Sequence, residues 1–258
     1  MKAARLRAYG TPLRIDEVPT PAPGPGQVVV AVQGAGFCHS DIHVIDGEIP
    51  ILPRLPMILG HENAGVVAAV GSGVRTVGVG QSVAVFGGWG CGQCNLCVTG
   101  HEQLCETPAW AGLSANDGGY AEYLLVPHER YLVPLTNLKP VEAAPLTDAA
   151  LTPYRAVQKA LTFLQPDHFA LLIGFGGLGQ YGLKLLHLLS GCGVIVVDVG
   201  HCTRGDGPAY ADSSRDRTAR PHQRGVPTTQ GWRDRRTCSD RSGGVTRERA
   251  SEEMYGCA

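Results

Sequence analysis

Four cysteines stand close together near the middle of the chain, at Cys91, Cys94, Cys97 and Cys105. Thiolates with this spacing can surround one tetrahedral zinc ion, and a site filled by four protein ligands is structural. Two disulfides are the alternative. The first residues carry no apolar signal segment, which favours a reducing, cytoplasmic compartment and therefore the metal. This loop predicts a zinc site that performs no reaction.

A glycine-rich segment at 174–179 is the second candidate site. It follows an apolar strand predicted at 169–173 as buried. A helix predicted over 180–190 comes next; its apolar residues lie all round, so we expect it to be buried. A second strand is predicted at 194–197. The order of strand, glycine turn, helix and strand is typical of a dinucleotide-binding unit.

In this unit, Gly174 would allow a tight turn, Gly176 the approach of a pyrophosphate and Gly179 close packing of helix against strand. Free N–H groups at the helix start suit the phosphates. Asp198, at the end of the second strand, can accept hydrogen bonds from ribose hydroxyls and repel a 2′-phosphate, which favours NAD over NADP. The predicted cofactor-binding residues here are Gly174, Gly176, Gly177, Leu178, Gly179 and Asp198.

A catalytic metal needs an open site with ligands from separate parts of the chain. Cys38 lies in a glycine-rich turn after a predicted strand, and His61 lies in a Gly-His-Glu turn. Asp148 is a candidate third ligand. Thiolate, imidazole and carboxylate suit zinc and leave one position for substrate. Spacing alone is equally compatible with a buried structural cysteine and a hydrogen-bonded histidine.

The elements that must position these residues change in type along the chain. Short β-branched segments separated by glycine turns predict a β-barrel or sandwich over residues 1–145. Helix formers follow from about residue 141, and Pro145 and Pro153 predict a break into short helical pieces. We therefore predict a mixed α/β fold with a β domain at 1–145 and a partial nucleotide-binding domain at 146–199.

Residues 200–258 have a different composition. Leu, Ile, Phe and Lys supply 42 of residues 1–199 and none of residues 200–258, which hold eleven Arg and eight acidic residues. Such a segment has too few apolar residues for a core, and we expect it to be disordered. We interpret the change as a shift of reading frame after Val199; a genuine basic tail is the alternative. Translation of the other two frames of the gene distinguishes them.

Overall composition excludes several classes of protein. A net charge of −1 indicates no nucleic-acid partner. The sequence contains no run of eighteen apolar residues, so we expect no membrane span. A hydrophobic content of 43% is typical of a globular protein.

Several motifs occur together in one order: residues 36–41 around Cys38, Gly60-His61-Glu62, the four-cysteine loop, residues 118–123 and the glycine turn. With them, residues 1–199 resemble the zinc-dependent medium-chain alcohol dehydrogenases. The resemblance implies a GroES-like β-barrel domain followed by a Rossmann βαβ unit. It also implies two zinc ions per chain, one catalytic and one structural, and NAD as cofactor.

The resemblance assigns a role to each matching position. Cys38, His61 and Asp148 become ligands of the catalytic zinc, and the four cysteines become ligands of the structural zinc. Asp41 would orient His61, and Glu62 would lie behind the metal. The remaining assignments are Ser40 as the hydroxyl that contacts the alcohol, His43 as the outer end of a proton relay, and His39 near the cofactor pyrophosphate.

The implied reaction is hydride transfer between an alcohol, or an aldehyde or ketone in reverse, and NAD. The family's sheet continues beyond Asp198, whereas nothing after Val199 matches, so we expect impaired turnover. The alternative is a zinc-binding β domain without activity. The family forms homo-oligomers, which we expect for the full-length protein, with no nucleic-acid or membrane partner.

Overall fold

The computed structural model describes residues 1–198 and 209–212. The described strands are β1 (Lys2–Leu6), β2 (Arg14–Glu17), β3 (Val28–Gly36), β4 (Met57–Ile58), β5 (Glu62–Val70), β6 (Ser82–Val85), β7 (Gly88–Trp89), β8 (Ala109–Trp110), β9 (Tyr123–Val126), β10 (Leu132–Pro134), β11 (Phe169–Ile173), β12 (Gly193–Asp198) and β13 (Ala209–Asp212). The described α-helices are α1 (His39–Ile45), α2 (Asn95–Val98), α3 (Pro140–Ala143), α4 (Leu151–Ala160) and α5 (Gly177–Leu189).

The β-rich part of the chain is built from antiparallel sheets. The central sheet has the order β10-β6-β5-β3-β9, and a second sheet has the order β2-β1-β4. Valines are frequent in β3 and its neighbours because branched side chains fit a pleated, half-buried surface. The pairing of β3 with β5 brings Gly36 opposite Glu62, so the ends of these two strands deliver the Cys38 and His61 turns to one place.

The core of this part is formed by side chains on one face of the central sheet. Its members are mostly β-branched residues with two aromatic side chains: Val28, Val30, Val67, Val83, Val85, Trp89, Leu124, Val126 and Tyr131. A smaller cluster of Leu6, Val44, Ile45 and Leu59 packs α1 against the other sheet. The helix that follows Cys38 is therefore held against this sheet by apolar packing.

Helix α1 follows Cys38 directly and was not predicted from the sequence. Cys38 is its N-cap, with the side chain receiving the N3 backbone N–H. In return, the side chain of Asp41 accepts a hydrogen bond from Cys38 N at 3.1 Å. This reciprocal arrangement is a capping box, and it fixes the direction in which the Cys38 thiol and the Asp41 carboxylate point.

The predicted break at Pro153 is wrong, whereas Pro145 does lie in a separate short 3-10 turn, Ala144–Thr147. Helix α4 starts at Leu151, so Pro153 is its third residue. An N–H in the first turn of a helix has no intrahelical partner, and a proline there costs no hydrogen bond. Asp148 lies in the turn between these two helical pieces.

The predicted nucleotide-binding unit is present as β11, α5 and β12. The two strands are parallel, with Phe169 opposite Gly193 and Ile173 opposite Val197. The prediction that strand and helix are buried is wrong: Ile173 in β11 is 77% exposed and Leu188 in α5 is 79% exposed. One face of this sheet is covered by α4 and α5, and no other described element covers the opposite face.

We predicted no regular structure beyond residue 199, but Ala209–Asp212 forms β13, antiparallel to β12. The unpaired edge of a strand offers N–H and C=O groups that such a segment can satisfy. The rest of the expected disorder and the frame-shift interpretation concern residues outside the described ones. No helix in the described ranges is long and apolar enough to cross a membrane. The mixed α/β fold is confirmed.

Candidate active site

The four predicted structural ligands come together. Ligand atoms of Cys91, Cys94, Cys97 and Cys105 all lie within 4.8 Å of one another. The Sγ atoms of Cys91 and Cys97 are 3.9 Å apart, as are those of Cys94 and Cys105. A zinc tetrahedron with Zn–S bonds of about 2.3 Å has edges of about 3.8 Å, so the thiols fit this ion. The cysteines are free thiols, which excludes the disulfide alternative.

Backbone donors surround this cluster. The N–H groups of Gln93 and Cys94 lower the pKa of Cys91 to about 6, which favours the thiolate that a metal requires. Arg130 ties the loop to the β body by donating from Nη2 to the carbonyl oxygen of Gly90 at 2.6 Å. Its Nη1 also lies 3.5 Å from Glu102 Oε1. The loop is therefore fixed at both its metal cluster and its base.

A second cluster joins Cys38, His61, Glu62 and Asp148, whose ligand atoms also lie within 4.8 Å of one another. Cys38 caps α1, His61 immediately precedes β5, Glu62 is its first residue, and Asp148 precedes α4. Sulfur, nitrogen and carboxylate oxygen are donors that zinc accepts. The structure thus brings together the three predicted ligands and adds Glu62 as a fourth possible donor.

The two ring nitrogens of His61 face different carboxylates. Nε2 lies 3.3 Å from Asp148 Oδ2, on the ligand side. Nδ1 lies 3.5 Å from Asp41 Oδ1. Both atoms are buried, and neither makes a hydrogen bond to another atom of the described residues. A proton on Nδ1 would face Asp41 and leave the Nε2 lone pair for a metal. The predicted role of Asp41 therefore has the required geometry.

The charges in this cluster favour a cation. Burial lowers the pKa of His61, but its interactions with Asp148, Asp41 and Cys38 outweigh burial and raise it to about 12. The hydrogen bond with His61 in turn lowers the pKa of Asp148. Burial, and then the charge of Asp148, raise the pKa of Glu62 to about 7. Two acidic groups and a thiol around one buried imidazole are a donor set that fits a zinc ion.

The predicted relay residues lie along α1. Ser40 Oγ is 3.6 Å from the Cys38 sulfur, which places the hydroxyl beside the metal cluster. His43 is on the same helix, and its Nδ1 is 2.5 Å from Glu48 Oε2. The ring of His39 packs edge-on against His43, with centroids 4.7 Å apart. The roles of these residues in proton transfer and pyrophosphate binding stay predictions.

The glycine turn has the predicted local geometry. Gly174 has φ of +90°, a conformation that glycine adopts without strain. Gly176 is the N-cap of α5, and a Cβ on Gly179 would lie 2.1 Å from the Gly174 carbonyl oxygen. A side chain on Gly176 or Gly177 would meet open space. The helix start, including Leu178, is therefore accessible to a phosphate group.

Asp198 ends β12 beside this turn, as predicted. Its Oδ2 accepts a short hydrogen bond from the backbone N–H of Phe175. The carboxylate therefore links the second strand to the glycine turn. That this carboxylate also contacts the cofactor ribose stays a prediction.

Two functional contacts were missed by sequence reasoning. The first is Glu48, whose carboxylate interacts with the His43 ring. The separation of five residues between them is the only local signal in the sequence. The second is Tyr120, which belongs to the motif at 118–123 but carried no assigned role. Its hydroxyl donates to Asp41 Oδ2 at 2.7 Å, across 79 positions in the chain. Burial and the charge of Asp41 raise the pKa of Tyr120, so the phenol stays a donor.

Comparison with known proteins identifies the class. Residues 24–137 match the alcohol dehydrogenase GroES-like domain. The fold, both candidate metal clusters and the glycine turn agree with this match and with the predicted resemblance to the zinc-dependent alcohol dehydrogenases. An NAD-dependent alcohol dehydrogenase of Sulfurisphaera tokodaii is 43% identical over 207 residues, covering 77% of this chain and 59% of the relative.

Solved structures show the same relationship. An alcohol dehydrogenase from Aeropyrum pernix matches with a TM-score of 0.71 and 39% identity, over 77% of this chain and 59% of that chain. A cobalt- and zinc-bound alcohol dehydrogenase from Pyrobaculum aerophilum matches with a TM-score of 0.69 and 35% identity, over 77% and 59%. The chain thus spans about 59% of the length of the relatives it matches.

Proposed function

We propose that this protein is an NAD-dependent zinc alcohol dehydrogenase. It transfers hydride from an alcohol to NAD, and in the reverse direction it reduces an aldehyde or ketone. The observation that supports it most is the buried cluster of Cys38, His61 and Asp148, with Asp41 behind the imidazole. A relative named as an NAD-dependent alcohol dehydrogenase and a similar alcohol dehydrogenase structure with bound cobalt and zinc add support. The specific alcohol, the stoichiometry of two zinc ions and the homo-oligomeric state are parts of the same proposal.

In this proposal Cys38, His61 and Asp148 hold a catalytic zinc, while the four cysteines hold a structural zinc. When bound, the catalytic zinc supplies Lewis acidity and NAD supplies the hydride acceptor. Asp41 keeps His61 in the tautomer with a free Nε2. Glu62, beside the ligands, adds negative charge that can be neutralised by protonation.

The proposed proton path begins at Ser40, whose hydroxyl lies beside the Cys38 sulfur and would accept the proton of the alcohol. His43 forms the outer end of the path, and Glu48 holds its Nδ1. At the cofactor, residues 176–179 present N–H groups to the pyrophosphate, and Asp198 faces the adenosine ribose. His39 would add a positive charge near the same pyrophosphate when protonated.

The test combines zinc analysis with a turnover assay. The purified full chain is supplied with zinc, NAD and a series of primary and secondary alcohols, and reduced nicotinamide is followed by its near-ultraviolet absorbance. Turnover that is lost in Cys38→Ser and retained in Cys192→Ser, a buried thiol outside both clusters, supports the proposal. Bound zinc with no turnover would instead identify a non-catalytic zinc-binding protein.

A further inference from the structure

Residues 118–120 lie against the segment that leads into His61. Their three N–H groups donate to the carbonyl oxygens of residues 58–60, at 2.9 to 3.0 Å. Asn63 also donates from Nδ2 to the Gly60 carbonyl oxygen at 3.0 Å. The turn carrying His61 is therefore held by backbone hydrogen bonds from a segment about 60 positions further along the chain.

The ring of Tyr120 continues this contact. Gly60 has φ of +98°, and a Cβ there would lie 2.6 Å from Tyr120 Cδ1, so the ring packs directly on the backbone before His61. The tyrosine ring also stacks on Phe37, with centroids 5.8 Å apart. Phe37 immediately precedes Cys38. The Tyr120 side chain thus contacts the segments that carry two of the three proposed ligands, Cys38 and His61.

The hydroxyl of Tyr120 completes the arrangement at Asp41. Oδ2 of this fully buried carboxylate accepts from Tyr120 Oη at 2.7 Å and from Cys38 N at 3.1 Å. With Oδ2 held by two donors, Oδ1 is the oxygen that faces His61 Nδ1. A buried carboxylate that loses one of its few donors turns toward other polar partners, because an unsatisfied charge in the interior is costly.

We propose that Tyr120 is a positioning residue for the metal at Cys38, His61 and Asp148. It acts through Asp41, whose orientation determines the direction and tautomer of His61. The inference rests on the proposed function, because it requires these three residues to be ligands. It differs from a purely structural role, in which the tyrosine would stabilise the β body and leave metal affinity unchanged.

The test measures zinc affinity in the full chain and in Tyr120→Phe, by competition with a chromophoric chelator. The Cys38→Ser variant identifies which of the zinc signals belongs to the Cys38 cluster. We expect about ten-fold weaker zinc binding at this cluster in Tyr120→Phe, the lower end of losses seen when outer partners of metal ligands are removed. Zinc at the four cysteines should be retained with unchanged affinity, which also reports that the chain is folded.

Two further variants keep the proposal falsifiable. Tyr131→Phe removes a buried phenol hydroxyl that donates to Gly90 O, and it should leave the Cys38 cluster unaffected. Adding Tyr120→Phe to Asp41→Asn should cause no further loss of affinity, since the tyrosine acts through that carboxylate.

Unchanged zinc affinity in Tyr120→Phe, or a loss that adds fully to that of Asp41→Asn, would overturn the inference and leave the proposed function standing. Equal losses of affinity at both metal clusters would likewise overturn it, by indicating general destabilisation. If the unmodified chain binds no zinc at the Cys38 cluster, the proposed function fails, and the positioning role fails with it.

Discussion

Oδ2 of Asp148 lies 3.3 Å from Nε2 of His61, although the two residues are 87 positions apart in the chain. The histidine is only 4% exposed, so its imidazole is surrounded by protein while Asp148 and Cys38 face it from different elements. A fold that concentrates acidic groups and a thiol at one buried imidazole stabilises a cation at that point. The contact between His61, just before β5, and Asp148, in the turn before α4, therefore joins the two parts of the candidate metal site.

Replacement of Asp148 by asparagine should remove the catalytic metal. The amide keeps the shape of the side chain but is a much weaker ligand than a carboxylate. We expect zinc content, measured by atomic absorption, to fall from about two ions per chain to about one. Turnover should fall at least about 100-fold, the upper end of the loss caused by replacing a residue that only supports a metal ligand.

The matched control for this substitution is Asp167→Asn, which changes an exposed aspartate of the same type. It should leave zinc content and turnover unchanged. Retention of both zinc ions in Asp148→Asn would show that the carboxylate is not a ligand. Glu62, which also lies in the cluster, would then be the donor to examine.

Replacement of Cys97 by serine should destabilise the protein without changing the chemistry of the Cys38 cluster. Cys97 is a buried member of the four-cysteine site, and a structural zinc contributes folding free energy directly. We expect the thermal unfolding midpoint to fall by about 10 °C. Each kcal/mol lost from the free energy of unfolding lowers the midpoint by roughly 2–4 °C in a chain of this size. Scanning calorimetry measures this shift.

Cys192→Ser is the comparison for that experiment, because Cys192 is a buried thiol outside both clusters. Its midpoint should change much less than that of Cys97→Ser. Equal midpoints for Cys97→Ser and the unmodified chain would contradict a structural metal at the four cysteines.

The four-cysteine site could be predicted from the sequence because its ligands lie within residues 91–105. Local spacing then limits the geometry, and the sulfur separations agree with it. For the ligands at Cys38, His61 and Asp148, spacing left alternatives open, and the assignment came from resemblance to a family. Their proximity depends on strand pairing between distant segments, which no local pattern contains.

Other features escaped prediction for the same physical reason. The Tyr120 hydroxyl reaches Asp41, which is 79 positions away in the chain. Pro153 is tolerated in α4 because of where the helix begins, and helix starts are poorly defined by composition. The apolar residues of β11 predict burial, but exposure also depends on whether another element covers the face.

Replacement of Asp198 by asparagine should change the cofactor preference. The amide oxygen can still accept the hydrogen bond from Phe175 N, so the glycine turn is preserved. The negative charge that would repel a 2′-phosphate is lost. We expect the ratio of NADP to NAD affinity, measured by titration calorimetry, to rise about ten-fold, the equivalent of roughly 1.4 kcal/mol.

A proportional change in both affinities would instead indicate that the Asp198→Asn substitution simply disturbs the turn, and would contradict a direct role in cofactor choice. Ser190, which donates to a backbone carbonyl within the same unit, offers a control substitution to alanine away from the glycine turn. The ratio of affinities should not change in Ser190→Ala.

Glu62 makes the stability of the metal-free chain dependent on pH. Burial, followed by the charge of Asp148, raises its pKa from 4.5 to about 7 in the folded protein. Between these values the folded chain holds a proton that the unfolded chain releases. The free energy of unfolding therefore decreases as pH rises from about 4.5 to about 7. Above that range this contribution stays constant at its lower value.

Replacement of Glu62 by glutamine should abolish this decrease, because the amide does not ionise. With metals removed by chelator, Glu62→Gln should unfold at nearly the same temperature as the unmodified chain near the lower end of the range. At pH values above the upper end it should be more stable by on the order of 2 kcal/mol. Thermal unfolding across this range, with exposed Glu142→Gln as the control, measures the difference. A difference that is independent of pH would show that Glu62 ionises equally easily in the folded and unfolded chains.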